Sequence, residues 1–590
     1  MLVIVNYITC IIVNREQRPF PTSYRGHSFK MNSNLNLRFL LLFSVFIVCE
    51  CKYGYVTWTG NNAVIGVTDY FADIPDVHVA RALYSNEINS TGWAFLELHT
   101  SADCSDEKQA YAAGYLEGFL TRDLIWMHWQ NMLKSYCHNK TEVCGLIEDY
   151  VDQNEDYISG MVKDHPNDPY WYQMKLYYIQ LEGLAVGYNE ATSEPYQWLT
   201  IRDILWINML GDLDELALAL SLPRRAAPDQ LFPDHCSGLV KLLPDLSELY
   251  TSHVTWNSYQ SMLRIQKMYA MHLHVTPGSP KLIPGYKMSM TSYPAFVQST
   301  DDFYVISSGL VAAETTIGNS NRSLFENVKP VGQILEYARA MVANRLARDG
   351  AEWVALFRRH NSGTYNNQWY IVDYNKFRAA TARAGGAVRA GLLWAVEQLP
   401  GYTEAADLTE QLRRQSYFPS YNIPSFPRVF NMSGGNERVA TFGDWFGYHT
   451  NPRAKIFKLR QAGIRNLRDM YYVMRYNDFK HDPLARCGAC RPPYSACNAI
   501  AARNDLNPPN GTYPFRALGH RSHGATDAKL TSAALRRELR FLAVSSPPHN
   551  ISRALPPFRW SEFDMGPHIS HLGHPDQWVF APLVHSWEWE

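Results

Sequence analysis

Hydrophobic and polar positions run along this chain with two different periods, and each change of period marks an element. Ala63-Val-Ile-Gly-Val-Thr and Trp93-Ala-Phe-Leu-Glu-Leu are short, apolar and β-favouring runs bounded by polar turns, which predicts strands within residues 55–100. Helical spacing takes over from Glu107 to Tyr136, with Tyr111, Tyr115, Phe119 and Ile125 along one side. Trp171 to Gly187 and Trp198 to Leu222 also read as helices. Their aromatic side chains suit a helical layer packed on a sheet; a lipid- or sugar-facing surface is the rival reading.

Leu222 to His235 breaks the pattern. Pro223, Pro228 and Pro233 forbid a continuous helix, so the segment reads as an internal linker. Arg224 and Arg225 could invite a trimming protease, which would excise a small peptide. Beyond the linker, Leu239 to Leu243 is a short apolar run with strand character. Leu246 to Met271 is expected to be a helix carrying His253 and Trp256 one turn apart on one side. Tyr286 to Thr315 predicts two strands around turns at Pro294 and Asp301. Pro330 to Arg359 predicts one long amphipathic helix, and Gln368 to Asp373 and Gly391 to Gln398 predict strands. From Pro400 onward Pro, Asn, Gly and His are frequent, and long loops are expected. There is no repeat or low-complexity tract. Two clusters each of strands and helices fit a sheet-and-helix sandwich whose strand order periodicity leaves open.

The chain has 590 residues, 46% of them hydrophobic, ample for a large core. A net charge of −1 gives no broad electrostatic case for nucleic acid or an anionic membrane. The absence of a Walker loop, a His-Glu-x-x-His pair and a Gly-x-Ser-x-Gly elbow counts against an NTPase, a zincin and an α/β-hydrolase esterase. Residues 1–51 read as targeting sequence: a short basic lead from Met31 to Arg38, then an apolar run from Phe39 to Cys49 that is too short to span a bilayer. Cleavage is expected between Glu50 and Tyr53, with residues 1–30 an upstream extension; a signal anchor is the rival. Six acceptor triplets, at Asn89, Asn139, Asn321, Asn431, Asn510 and Asn550, fit a glycosylated lumenal protein. Cys137 and Cys144 bracket a short polar loop and suit a local disulfide in an oxidising compartment.

Candidate chemistry centres on Asp234-His235-Cys236-Ser237-Gly238, where the linker meets an apolar run. Cleavage there would leave Cys236 as a new N-terminus, joining a thiol nucleophile to its own α-amine as base. An unperturbed amine pKa of roughly 7.7–8.0 suits proton abstraction near neutrality. A buried structural cysteine at the head of a strand is the bland alternative. His568, His571 and His574 suggest scattered loop imidazoles rather than a metal site.

Several ordered motifs add to this. Cys236-Ser-Gly-Leu-Val-Lys, His253-Val-Thr-Trp256, Met290-Thr-Ser-Tyr-Pro-Ala, Asp301-Asp-Phe-Tyr-Val-Ile-Ser-Ser-Gly309, Asn361-Ser-Gly-Thr-Tyr-Asn-Asn367, Ser420-Tyr-Asn-Ile-Pro-Ser425, Asn451-Pro-Arg-Ala-Lys-Ile-Phe457, Met474-Arg-Tyr-Asn-Asp478 and Asp505-Leu-Asn-Pro-Pro-Asn-Gly-Thr-Tyr-Pro-Phe515 together resemble the phospholipase B-like family over about residues 55–590. Cys487-Gly-Ala-Cys490 and Asn-Pro-Pro-Asn-Gly are closest to its lysosomal phospholipase B-like 2 branch. The resemblance implies an α+β fold, a four-layer α/β/β/α N-terminal-nucleophile hydrolase sandwich, self-cleaved between His235 and Cys236 into two chains, 52–235 and 236–590, that stay together non-covalently as one unit.

The resemblance also implies Asn422 as an oxyanion donor and His253, Trp256 and Arg453 as pocket residues. Read from their own chemistry, His253 also suits a hydrogen-bonded core imidazole, Asn422 a turn residue before Ile-Pro and Arg453 a structural ion pair. A Cys487–Cys490 disulfide is implied too, against a zinc half-site; Cys497 departs from the branch pattern and could compete for either cysteine or pair with Cys104. The expected function is lysosomal or secreted hydrolysis of an acyl bond, either a phospholipid ester or a linear amide. No metal, cofactor, nucleic acid or transmembrane anchor is expected, and the oligomeric state stays open. A lumenal lipid carrier, with self-cleavage only a maturation step, is the alternative of a different class.

Overall fold

The computed structural model describes residues 51–221, 236–381, 384–550, 555–563 and 569–589. The targeting sequence up to Glu50, the linker 222–235 with His235, and His568 lie outside the described residues. Before the linker, four strands form: β1 Cys51–Thr59, β2 Asn62–Thr68, β3 Ala80–Glu87 and β4 Trp93–Thr100. After it come β5 Ser237–Leu242, β6 Leu249–Val254, β7 Trp256–Ser258, β8 Ile265–Ala270, β9 Lys287–Ser292, β10 Phe303–Ile306, β11 Leu310–Thr316 and β12 Asn367–Asp373. A small hairpin pairs β13 Phe377–Arg378 with β14 Ala387–Val388. The remaining strands are β15 Leu393–Leu399, β16 Tyr402–Asp407, β17 Tyr417–Ser420, β18 His523–Ala525, β19 Asp527–Ser532, β20 Leu542–Ser545, β21 Phe558–Arg559, β22 Gln577–Trp578 and β23 Leu583–Val584.

Two large sheets organise these strands. The first has eleven, in the order β16-β15-β12-β11-β10-β9-β8-β4-β3-β1-β2; the second has six, in the order β17-β5-β6-β19-β20-β23. Every neighbouring pair in both is antiparallel except β4 with β8, which is parallel, Ala94 facing Ile265 and His99 facing Ala270. That pair joins the chain before the linker to the chain after it within one sheet.

Side-chain alternation assigns each face. On β4, Leu96 and Leu98 join the cluster that holds the helices, whereas Trp93 and Phe95 join the cluster shared with the second sheet. On β12, Trp369 and Ile371 take the helical side; Tyr370 and Val372 take the other. The second sheet divides likewise. Val240 and Leu249 face the first sheet, while Leu239, Tyr250 and Leu530 pack with Ile456, Phe457, Met470 and Val473 from helices Pro452–Arg460 and Leu467–Met474. A strand whose two faces meet two different cores must be apolar on both, which is why these strands read as short unbroken apolar runs.

The helical layer is drawn tight by glycine. Gly114 and Gly118 on helix Asp106–Leu120 meet Gly183 and Gly187 on helix Pro169–Glu190. A Cβ at Gly114 would fall 1.8 Å from the Gln180 carbonyl oxygen, and one at Gly187 would fall 1.9 Å from the Tyr115 carbonyl oxygen. Paired Gly-x-x-x-Gly faces let the two backbones touch. The aromatic residues around them, among them Tyr115, Tyr170, Trp171 and Tyr177, are buried in this layer.

Four expectations need correction. Leu246 to Met271 is not a helix: it forms β6, β7 and β8, because Leu249-Tyr-Thr-Ser-His-Val alternates between two cores and pairs on both edges, with β5 and β19. Tyr286 to Thr315 holds three strands rather than two. Pro330 to Arg359 is two helices, Glu336–Leu346 and Gly350–Phe357, broken where Ala347 turns extended and Asp349 caps the second by accepting from Glu352 N. Beyond Pro400 the chain is less loop-like than expected and includes helices Thr409–Gln415, Pro427–Met432, Gly435–Phe442, Pro452–Arg460 and Leu467–Met474. A 24-residue helix, Thr141–Asp164, had gone unread.

Candidate active site

Cys236 stands immediately before β5, at the first described residue after the linker. Its φ of +62° is uncommon for a side-chain-bearing residue. Gly238, two residues on, lies opposite His253 on β6 and Ser420 on β17. A Cβ there would sit 2.4 Å from the Tyr370 hydroxyl oxygen, so only glycine lets β5 approach the first sheet at this point. Register alone therefore brings the start of β5 beside His253 on one flank and the Ser420-Tyr421-Asn422 turn on the other.

Cys236 is buried, 5% of the residue being exposed. One ligand-capable atom each from Cys236 (Sγ), His253 (a ring nitrogen) and Glu314 (a carboxyl oxygen) lie within 4.8 Å of one another. Burial and then the Glu314 charge push the thiol well above its ordinary pKa, while the Trp256 main-chain N–H and Lys529 favour the thiolate. His253 is fully buried, and neither ring nitrogen has a hydrogen-bond partner. Burial, followed by Lys529, holds the imidazole neutral against the opposing pull of Asp527; the Glu314 carbonyl favours the charged ring without making a well-aligned bond.

Glu314 belongs to a group of carboxyls set into the first sheet. Tyr365 donates to Asp302 Oδ2 at 2.7 Å and reaches Glu314 Oε1 at 3.4 Å. Burial and the two carboxyls' mutual repulsion raise Glu314 well above the usual range, and burial lifts Asp302 to about 6. The two share a proton rather than two charges. Opposite them, in the second sheet, Lys529 donates to Asp527 Oδ2 at 2.7 Å, and Arg264 reaches the same oxygen at 2.9 Å and also pairs with Asp301. All four side chains are fully buried; burial lowers Lys529 to about 8.

The third side of the site is built by Arg453. Asn451 accepts from Arg453 N at 2.8 Å and Pro452 opens the helix, which fixes Arg453 in its first turn. Its Nη1 donates to Cys236 O and its Nη2 to Tyr421 O, each at 2.8 Å. The guanidinium carbon lies 4.4 Å from the Trp256 ring centroid, and Trp256 Nε1 donates to Ile500 O at 3.1 Å. Burial lowers Arg453 to about 10. These bonds tie the Arg453 charge to main-chain carbonyls on both sides of the site.

Asn422 also has a positive φ, +68°. Its Nδ2 donates to Thr316 O at 2.6 Å, and its buried Oδ1 has no partner. Arg453 and Asn422, with Ile423, Arg438, Trp445 and Phe446, line a cavity of about 10 Å³, room for one water.

The structure thus brings Cys236 and His253 together at the thiol, links Arg453 to Cys236 O and the Trp256 ring, and sets Asn422 with Arg453 in the lining of the small cavity. Sequence reasoning missed Glu314, Asp302, Tyr365 and Lys529. For Glu314 and Lys529 the signal was a charge inside a strand with no exposed position: every residue of Leu-Val-Ala-Ala-Glu-Thr-Thr (β11) and Asp-Ala-Lys-Leu-Thr-Ser (β19) is buried.

Elsewhere, Cys137–Cys144 and Cys487–Cys490 are disulfides, whereas Cys104 and Cys497 are both free thiols, so neither alternative pairing of Cys497 occurs. His571 stacks on Trp560 and His574 packs edge-on to Trp578. Asn89, Asn139, Asn431, Asn510 and Asn550 are exposed; Asn321 is half-buried, its amide donating to Met432 O. Among the described residues no helix is long and apolar enough to cross a membrane.

Comparison with known proteins places this geometry in context. Residues 80–585 match the family pattern described as Phospholipase B. The chain is 45% identical over 520 residues to a protein of Homo sapiens named as phospholipase B-like 2, covering 87% of this chain and 86% of the relative. It is 42% identical over 513 residues to a Caenorhabditis elegans protein of the same name, covering 87% and 86%. To phospholipase B-like protein B of Dictyostelium discoideum it is 37% identical over 540 residues, covering 90% and 87%.

Proposed function

The chain belongs to the phospholipase B family, and on that premise we propose that it is an N-terminal-nucleophile hydrolase of acyl bonds whose nucleophile is Cys236. The observation that carries this reading is the convergence of the Cys236 thiol, the unpartnered His253 ring and the Glu314 carboxyl at a strand start that directly follows the linker. Helices on the outer face of each sheet, and one apolar cluster between the two sheets, are the packing that an α/β/β/α sandwich of this class requires.

In the uncut chain, burial keeps the thiol protonated, so it is a weak nucleophile at neutral pH. Cleavage of the His235–Cys236 bond would free an α-amine in the same enclosed place as the buried thiol, and burial favours its neutral, proton-accepting form. The amine would take the thiol proton and sulfur would attack the acyl carbon; the tetrahedral adduct would then collapse, breaking the ester or amide bond and expelling the alcohol or amine, which takes its proton from the α-ammonium. Arg453 would hold the Cys236 carbonyl in place throughout. Asn422 has one N–H engaged by Thr316 and one left to meet the oxyanion. Water would then open the acyl-enzyme, releasing the acid.

Phospholipid esters and linear amides both fit this chemistry, and the glycosylation triplets and targeting sequence support a lysosomal or secreted location. The test is Cys236→Ala. It should remain a single uncut chain and lose acyl hydrolysis, and the smaller fragments of the native protein should begin at Cys236. Normal cutting of Cys236→Ala at the same bond, in a protease-free preparation, would overturn self-cleavage. Full biological activity without acyl turnover would favour a lumenal carrier.

A further inference from the structure

Cys236, His253 and Glu314 offer a thiol, an imidazole and a carboxyl, which is a zinc donor set. Three features go beyond residue type. The ligand atoms are within 4.8 Å of one another, and His253 is completely buried with neither ring nitrogen in a well-aligned hydrogen bond, the Glu314 carbonyl being a nearby acceptor. The three side chains also come from three different strands or strand ends, two in one sheet and one in the other, so they surround a point instead of lining a surface.

We infer that these three side chains form a binding site for a single zinc-class divalent cation, which caps the Cys236 thiol. Zinc bonds of about 2.0–2.3 Å in tetrahedral array separate neighbouring ligand atoms by about 3.4–3.7 Å. With all separations within 4.8 Å, the contraction needed is at most roughly 1 Å, within the reach of side-chain rotation. Charge is conserved as the ion enters. Zn²⁺ bonds to sulfur, to a ring nitrogen and to a carboxylate oxygen; the thiol proton and the carboxyl proton leave to solvent, and the dipositive ion replaces both. No net charge is added to the buried site. Lys529 and Arg264 stand nearby, but each is paired with Asp527, and Arg264 also with Asp301, so the ion meets compensated pairs. His253 and Glu314 are fully enclosed and Cys236 is buried, so the ion would sit out of bulk solvent.

Metal binding does not require that Cys236 be a nucleophile; the consequence, that the ion blocks acyl transfer and self-cleavage, rests on that reading. The experiment uses the full chain freed of metal by a chelator and titrated with cobalt(II) and zinc(II) alone. One equivalent of cobalt should give a thiolate-to-metal charge-transfer band that zinc displaces. Cys236→Ser should abolish the band, and Cys497→Ser and Cys104→Ser should keep it. Glu314→Gln, which preserves shape, should weaken zinc binding more than roughly 100-fold, beyond what loss of an outer-shell partner costs. No band in a native, folded chain, or a band that persists in Cys236→Ser, overturns the site. If zinc binds as stated yet Cys236→Ala still cuts and turns over substrate, the metal site stands and the nucleophile assignment falls. If zinc fails to bind while Cys236→Ala is uncut and inactive, the reverse holds.

Discussion

Replacing Arg453 by Met separates positioning from stability. The side chain makes two charge-assisted bonds, to Cys236 O and Tyr421 O, each at 2.8 Å. At about 1.5–3 kcal/mol each, these contribute about 3–6 kcal/mol. Against this stands the burial of a guanidinium: lowering its pKa from 12.5 to about 10 corresponds to about 3 kcal/mol. Met restores most of the apolar volume over the Trp256 ring and removes the buried charge. The net loss of stability should therefore be only about 0–3 kcal/mol, read as a shift in the midpoint of urea unfolding. Catalysis should suffer far more. The Cys236 carbonyl would lose its anchor, and a displacement of about 1 Å at a reacting group costs on the order of 100-fold. Turnover of an acyl substrate per folded molecule should fall by that factor in kcat, with KM little changed. Arg453→Lys keeps a charge but satisfies only one carbonyl at a time, so it should recover part of kcat. If Arg453→Met loses activity only in proportion to its folded fraction, Arg453 is a structural residue and the positioning argument is wrong.

Glu397 is fully buried and raised by that burial to about 7, against the Gln368 and Ser425 bonds that pull it down. Its folded pKa lies above its unfolded one, so it is protonated in the folded state first; its stabilising contribution is complete below about 4.5 and is lost as pH rises to about 7, a swing of about 3 kcal/mol. Glu397→Gln should therefore look progressively better, relative to the native chain, as thermal unfolding is measured at pH 5, 6, 7 and 8; a constant difference would refute the shift. Gly183→Ala places a Cβ 2.1 Å from the Tyr111 carbonyl oxygen and should cost about 1–3 kcal/mol or more by forcing two helices apart, whereas Gly160→Ala, which meets nothing within 4 Å, should be neutral or stabilising in the same melt.

The linker, the cysteine after it and the flanking motifs were legible because each is local: prolines, a thiol, an Asn-Pro-Arg helix start. The neighbourhood of that cysteine was less so. His253 was expected on a helix with Trp256, yet it reaches the site from β6, because pairing with β5 and β19 decides the conformation of a segment whose own pattern allows either. Glu314 and Lys529 carry no motif. Their meaning comes from registers set by strands far away in sequence, and only the oddity of a charge in a fully buried strand could have marked them. The paired glycines at 114, 118, 183 and 187 were in plain view; what the sequence lacked was the knowledge that those two helices face each other.

The single parallel pair, β4 with β8, has a consequence for how the protein can be taken apart. If the bond before Cys236 is cut, this seam ceases to be an internal contact and becomes the suture of a heterodimer, buried in the middle of an eleven-stranded sheet. Separating the two pieces then means opening that sheet, while rejoining them is a second-order encounter between fragments that no longer fold as one chain. The uncut form should recover from denaturant at a rate independent of concentration. The cut form should recover slowly, if at all, and faster when more concentrated, so that its persistence is a matter of an unfolding barrier and not of an equilibrium.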